Sequence, residues 1–458
     1  MTLAGKLRQI LPAGIVLTDS DALERYGQDE TEDLVFKPAV VVKPVNTVQV
    51  VEVMRFAHQE RVPVTPRGAG TGLSGGALPV EGGIVLSTES MNRIVEIDTR
   101  NLVAVVEPGV ITQVLQDEVE KVGLFYPPDP ASRGSCTIGG NIAECAGGPR
   151  ALKYGVTKEY VLGVEAVLAS GDVVEFGGKL FKDVTGYNMT QLFVGSEGTL
   201  GIVTKAVLRL IPYPPFRKTL IVPFAQLESA ATAVAGIFQA GVVPCACELL
   251  ERDVVRRIEQ HRDSGLRFPD ADAHLLIELD SHYEDTLDRD LEKIAEVCES
   301  LGAADILVAD GPAKQKELWD WRRSAGEAVK SRSVYKEEDT VVPRARLPDL
   351  IRGVKEIAAR HGISTLCYGH AGDGNIHVNI VKDGMDDHRW EAELPGAVEE
   401  IFRFTKSLGG TLSGEHGIGF SQKRYLPIVR TEAEIALMRA VKAAFDPLGI
   451  LNPGKIFP

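Results

Sequence analysis

Two histidines flank a glycine-rich turn in Tyr368-Gly369-His370-Ala371-Gly372-Asp373-Gly374-Asn375-Ile376-His377-Val378-Asn379. A second segment, Ser413-Gly414-Glu415-His416-Gly417-Ile418-Gly419, sets a carboxylate beside a third histidine. Two imidazoles and a carboxylate are the common ligand set of a zinc site that keeps one position open to substrate. A further histidine next to the carboxylate could serve as a base. The competing reading is structural, because an isolated His–Glu pair is more often a hydrogen-bonded contact than a metal site. Residues at His370 and His377 would face opposite sides of a straight strand, so both can ligate one ion only if Gly372-Asp373-Gly374 turns the chain.

The elements that must position these groups fall into several regions. Residues 1–34 read as a short helical lead-in, acidic around Asp29-Glu30-Thr31-Glu32-Asp33. From 35 to 213, β-type runs (39–42, 83–87, 102–107, 161–169, 202–211) alternate with glycine-rich turns, and one amphipathic helix over 47–60 has Asn46 as N-cap. Many strands and few helices indicate an α+β layer. The proline-rich stop Ile211-Pro212-Tyr213-Pro214-Pro215 marks a boundary. Beyond it, strand–helix–strand occurs twice, over 220–250 and 274–308, a pattern expected of a ferredoxin-like α+β cap within 214–412. The last region, 413–458, carries the Glu-His pair and a helix opened by the capping box Thr431-x-x-Glu434.

With 458 residues the chain is too long for one ordinary core. Its net charge of −14 argues against a nucleic-acid partner, which needs a basic surface. No signal peptide and no apolar run of membrane-spanning length is evident. The scattered cysteines Cys136, Cys145, Cys245, Cys247, Cys298 and Cys367 fit reduced thiols and a cytoplasmic location, and exclude most iron–sulfur patterns. Cys245 and Cys247, two apart on an apolar run, read as buried packing.

A literal GxGxxG lies in Pro66-Arg67-Gly68-Ala69-Gly70-Thr71-Gly72-Leu73-Ser74-Gly75-Gly76. A dinucleotide fold needs that motif to open a helix, yet Ala77-Leu78-Pro79-Val80-Glu81-Gly82-Gly83 breaks any helix and leads into a strand. Such glycines can form an anion-binding nest of backbone N–H groups or a plain turn. Two more glycine-dense segments follow, Thr137-Ile138-Gly139-Gly140-Asn141 running on to Gly147-Gly148, and Glu197-Gly198-Thr199-Leu200-Gly201-Ile202. Three such segments suggest a long ligand with its phosphates against backbone amides.

Together these segments resemble the FAD-binding domain of the vanillyl-alcohol oxidase/p-cresol methylhydroxylase type of flavoprotein. With the histidine motifs they resemble the FAD-linked D-2-hydroxyacid dehydrogenases: the glycolate oxidase FAD subunit, D-lactate dehydrogenase and D-2-hydroxyglutarate dehydrogenase. The likeness runs from about Lys37 to Pro458 and includes Pro128-Asp129, Lys153-Tyr154-Gly155, Asp183-Val184-Thr185-Gly186-Tyr187-Asn188 and Asn452-Pro453-Gly454-Lys455. It implies a two-subdomain FAD-binding domain over 35–213, a substrate cap over 214–412, and a segment 413–458 that completes the active site and returns to the FAD domain. It implies FAD held by residues 66–73, Pro128, Asp129, Thr137, Gly139, Gly140, Asn141, Gly147, Gly148, Tyr154, Gly155, Glu197, Gly198, Gly201, Ile202 and Asn452. Some relatives attach the flavin through a histidine in the first loop; none is present in this loop, so FAD is expected to be dissociable.

The same resemblance implies that His370, His377 and Glu415 bind a divalent metal, zinc ahead of manganese or iron, and that His416 is the base. Arg322, in Leu318-Trp319-Asp320-Trp321-Arg322, matches the arginine that pairs with substrate carboxylate, and fits that role better than Arg323. Asn379 would hydrogen-bond the same carboxylate. Lys336 follows Val334-Tyr335 as in the D-2-hydroxyglutarate branch, whereas counting back from Pro343 puts Glu337 there. The following Glu338-Asp339-Thr340-Val341-Val342-Pro343 looks more like the glycolate and D-lactate branch, so a short monocarboxylate is expected. Electrons would leave to an iron–sulfur protein, an electron-transfer flavoprotein or a quinone pathway, from a homodimer or a subunit of a complex that associates with a membrane only through partners. The alternatives are a metallohydrolase, which leaves the glycine segments unexplained, and a non-catalytic flavin-binding subunit, expected to lack the histidine cluster.

Overall fold

The computed structural model describes residues 1–262, 266–309 and 311–458. The chain divides into two compact units. The first comprises residues 1–147, 155–213 and 415–458, and the second comprises 148–154 and 214–414.

The first unit holds a four-stranded sheet ordered Val16–Leu17, Val40–Val42, Ile84–Ser87, Val64–Arg67. The last three strands run parallel, and the helix Thr47–Glu60 links the second to the fourth. That helix forms where expected. Asn46 Oδ1 accepts the Gln49 N–H at 3.0 Å, a cap worth about 1 kcal/mol. Val50, Val53, Met54 and Ala57 make its buried stripe at helical spacing. The lead-in is more than helical: Leu7, Leu11 and Val16 enter the same core, and Val16–Leu17 adds an antiparallel edge strand. At the opposite edge the tail joins the sheet, with the Val64 N–H bonded to Ile450 O at 2.8 Å and the Asn452 N–H to Val64 O at 2.7 Å. The unit also holds a five-stranded antiparallel sheet, ordered Ile94–Asp98, Val103–Val106, Ile202–Arg209, Val161–Val167, Val173–Gly177, and a two-stranded pairing of Leu124–Phe125 with Ile211–Pro212.

The second unit is built on a seven-stranded antiparallel sheet ordered Leu307–Val308, Phe216–Phe224, Ala273–Ser281, Ala246–Glu251, Ser364–Gly369, Asn375–Val381, Tyr335–Val341. The two expected strand–helix–strand units supply the first four strands, with helices Leu227–Gln239 and Glu284–Ser300. The other three extend the sheet beyond a ferredoxin-like pair, and the arms of the histidine turn are two of them. On one face Trp321, Trp319, Ala325 and Val329 pack against Leu250, Leu276, Leu366 and Tyr368. Burying each large side chain contributes roughly 1.5–3 kcal/mol. Among the described residues, no helix is long and apolar enough to cross a membrane.

Candidate active site

In the first unit the three glycine segments line one cleft. Its walls include every residue from Pro66 to Leu73, then Thr137, Gly139, Gly140 and Asn141, then Glu197, Gly198, Gly201 and Ile202; Glu415 and His416 also face it. No helix follows the first loop; the next regular element is the strand Ile84–Ser87. The second segment does open a short helix, Ile138–Glu144, capped by Thr137 Oγ1 on the Gly140 N–H at 3.4 Å.

Close backbone approach explains two of the glycines. A Cβ on Gly198 would lie 2.8 Å from Pro66 Cγ, and one on Gly68 would overlap Thr137 Oγ1, so larger residues would push the segments apart. Arg67 Nη1 is buried without a hydrogen-bond partner, and burial pulls the guanidinium's pKa down. A glycine-lined cleft with a buried guanidinium nitrogen left without a hydrogen-bond partner suits the pyrophosphate of FAD.

Other expected cofactor residues sit elsewhere. Pro128 and Asp129 are buried and do not line the cleft, although Pro130 and Ala131 do; the Pro128 carbonyl accepts Gln116 Nε2 at 2.9 Å. Gly147 and Gly155 do not line it. Gly148 and Tyr154 belong to the second unit, where the Tyr154 hydroxyl donates to Asp280 Oδ2 at 2.8 Å. Asn452 acts as a brace: its Nδ2 donates to Gly76 O at 2.9 Å and Glu197 O at 2.7 Å, tying the first and third segments together. Lys455 supports Asn452 Oδ1 at 3.0 Å, and burial pulls its ammonium down to about 8 against the attraction of Glu197.

Glu144 is a cleft residue that sequence reading missed. Its Oε2 is buried without a partner, and burial first, then the neighbouring Glu197 charge, raise its carboxyl well above the usual range. It carried no sequence signal beyond lying inside a glycine-dense stretch.

The second unit brings the histidine turn into shape. The turn Ala371–Asp373 and Gly374, at φ +76°, reverse the chain into a hairpin. His370 and His377 then face each other with ring centroids 5.4 Å apart. Strand register sorts the neighbours, since directly paired residues share a sheet face. Asp339 pairs with His377 and Glu337 with Asn379, so these four lie on one face; Lys336 pairs with Ile380 and lies on the other. The structure therefore does not bring Lys336 to the histidines, and it puts Glu337 there instead.

Glu248 is the second missed residue. It is 0% exposed, and its two oxygens hold His370 Nδ1 at 2.8 Å and Arg322 Nη2 at 2.6 Å. Burial alone would raise this carboxyl, but His370 and Arg322 outweigh it and hold it below the usual range. A carboxylate on Nδ1 fixes the orientation of the ring, the usual outer support of a metal-binding imidazole. Arg322 also lies 5.0 Å over the Tyr368 ring, whereas Arg323 stacks 5.2 Å over Trp319, so Arg322 is the one beside the histidines. Asn379 is 1% exposed with neither Oδ1 nor Nδ2 bonded. Leaving both unsatisfied costs roughly 1–3 kcal/mol, so the amide is arranged for a polar ligand.

Residues 38–177 match the family described as "FAD binding domain", and 213–456 match "FAD linked oxidases, C-terminal domain". The chain is 44% identical to the glycolate oxidase subunit GlcD of Bacillus subtilis, over 94% of this chain and 92% of that protein. It is 40% identical to a D-lactate dehydrogenase of Archaeoglobus fulgidus, over 96% of both. It is 34% identical to a D-2-hydroxyglutarate dehydrogenase of Stutzerimonas stutzeri, over 99% of this chain and 98% of that one. Among solved structures, p-cresol methylhydroxylase shares the fold with TM-score 0.78 at 19% identity, covering 99% of this chain and 96% of its own. With two family matches and relatives along nearly its whole length, this chain belongs to the FAD-linked oxidases, as an FAD-linked oxidoreductase of the glycolate, D-lactate and D-2-hydroxyglutarate dehydrogenase family.

Proposed function

We propose that this protein oxidises a short D-2-hydroxy acid, D-lactate or glycolate, to the 2-oxo acid, with dissociable FAD as hydride acceptor and a divalent metal, zinc ahead of manganese or iron, at the substrate oxygens. When bound, the two groups would supply hydride acceptance at the flavin and Lewis-acid polarisation of the substrate hydroxyl. His370, His377 and Glu415 would hold the metal. Glu415 directly follows Gly414, whose N–H is fixed by Asp339 in the unit that carries both histidines. His416 would take the hydroxyl proton. Arg322 and Asn379 would hold the substrate carboxylate, the arginine with its fork and the asparagine with its unsatisfied amide.

The observation that carries this reading is the orientation of His370 by the buried Glu248, beside His377, Arg322 and Asn379. The preference for a monocarboxylate rests on Glu337. A carboxylate opposite Asn379 would repel the second carboxylate of 2-hydroxyglutarate, and Lys336 is on the wrong face to attract it. Electrons would pass to an external iron–sulfur protein, electron-transfer flavoprotein or quinone pathway.

Anaerobic addition of D-lactate or glycolate should bleach the flavin band, with L-lactate and D-2-hydroxyglutarate much slower. Preference for D-2-hydroxyglutarate would overturn the substrate choice, and no bleaching by any hydroxy acid would overturn the function. Glu248→Gln should weaken metal binding roughly 10–100-fold in a chelator competition while flavin content holds. Unchanged metal affinity would remove Glu248 from the site.

A further inference from the structure

The dipeptide Glu415-His416 sits where the chain passes from the second unit back to the first. On its N-terminal side, inside the second unit, Asp339 Oδ2 accepts the Ser413 hydroxyl at 2.9 Å and the Gly414 N–H at 2.8 Å. Asp339 is 0% exposed and is held in turn by Asn375 Nδ2 at 2.6 Å. On its C-terminal side, inside the first unit, Glu197 Oε1 accepts the Ile418 N–H at 2.8 Å and Oε2 accepts the Gly419 N–H at 2.6 Å.

Glu197 is itself fixed with unusual stringency. Its φ of +50° is a left-handed backbone angle that costs a non-glycine residue about 1 kcal/mol or more, and the Asn452 side chain holds its carbonyl at 2.7 Å. Gly417, at φ +80°, leaves room for that approach: a Cβ there would meet Glu197 Oε1 at 3.1 Å and overlap Glu144 Oε2. A carboxylate accepting two backbone N–H groups makes two charge-assisted bonds, each about twice as strong as a neutral one.

We propose that Glu197 and Asp339 are positioning residues, two carboxylate clamps that fix the backbone on either side of Glu415-His416 and so set the place of the metal ligand and the base. The inference rests on the roles given to those two residues above. Glu197 belongs to the wall of the cleft, but its carboxylate oxygens are turned to the Ile418 and Gly419 N–H groups, and that side-chain role is the one proposed. The short span from Gly414 to Ile418 contains three residues, so neither clamp can loosen without freeing the dipeptide.

The test uses the flavin-loaded protein and the variants Glu197→Gln and Ser413→Ala. A glutamine keeps one acceptor oxygen but turns an NH2 toward the other backbone N–H. Hydrogen exchange at Ile418 and Gly419 should accelerate by about tenfold or more in Glu197→Gln, with flavin content within about twofold of wild type. On the best hydroxy acid, kcat should fall roughly 10–100-fold with KM changed by less than about threefold, since a displaced base costs the chemical step. Ser413→Ala should accelerate exchange at Gly414 and lower kcat by about 3–10-fold.

Exchange unchanged at 418 and 419 would overturn the clamp. Accelerated exchange with unchanged kcat would overturn the positioning role. Loss of flavin from Glu197→Gln, with no effect of Ser413→Ala on kcat, would return Glu197 to the cofactor site and overturn the proposal. If wild-type protein turns over no 2-hydroxy acid, the proposed function fails, while the exchange result still decides the clamp.

Discussion

His377→Ala should abolish bound metal and lower kcat on the preferred hydroxy acid by about 10³-fold or more, with the flavin spectrum intact. Lewis-acid polarisation of an alcohol is worth several kcal/mol, and each 1.36 kcal/mol is tenfold in rate. The cleft proposed for the flavin is lined by residues of the first unit, whereas His377 is a sheet residue of the second, so flavin retention is the expected control. Metal analysis, the flavin spectrum and turnover on one preparation separate the possibilities. Full activity would refute the metal assignment, and loss of flavin would show that the substitution disturbs more than the site.

His416→Gln should lower kcat by roughly 10²–10⁴-fold, the usual worth of a positioned base, while metal and flavin both stay bound. A base must be unprotonated to act, so the acid limb of the wild-type kcat/KM profile against pH should be absent from the variant. A variant that keeps that limb, or loses less than about tenfold in rate, would assign proton removal to another group. Because His416 lines the flavin cleft beside Glu415, the contrast with His377→Ala is informative: one variant should lose metal, the other should keep it.

Local patterns in the sequence revealed what depends on local chemistry. The helix over 47–60 was legible because its cap and apolar stripe lie within fourteen residues. The three glycine segments were legible because close approach demands glycine wherever it occurs. Glu248 was not. It stands in the apolar run Ala246-Cys247-Glu248-Leu249-Leu250, 122 residues from His370, and only the pairing of non-adjacent strands brings the two together. The choice between Lys336 and Glu337 turned on parity, since a shift of one residue exchanges the faces of a strand. Register against Asn375–Val381 puts Glu337, and not Lys336, on the face of His377 and Asn379, and register is a long-range property. Asn452 was recognised by motif alone; its part as a brace depends on the tail entering the first sheet next to Val64.

That last arrangement bears on how the protein is made. The first unit is assembled from three separate stretches of chain, and its four-stranded sheet is bordered by residues 450–452. Synthesis delivers the N-terminal stretches early, yet the edge of the sheet and the brace between the glycine segments come only after the second unit has been made. Domains ordinarily fold as they emerge, N-terminal first; this one cannot close until residues 450–452 have been released. Flavin capture would therefore follow the release of residues 450–452, by which point both pieces of the second unit, 148–154 and 214–414, have emerged.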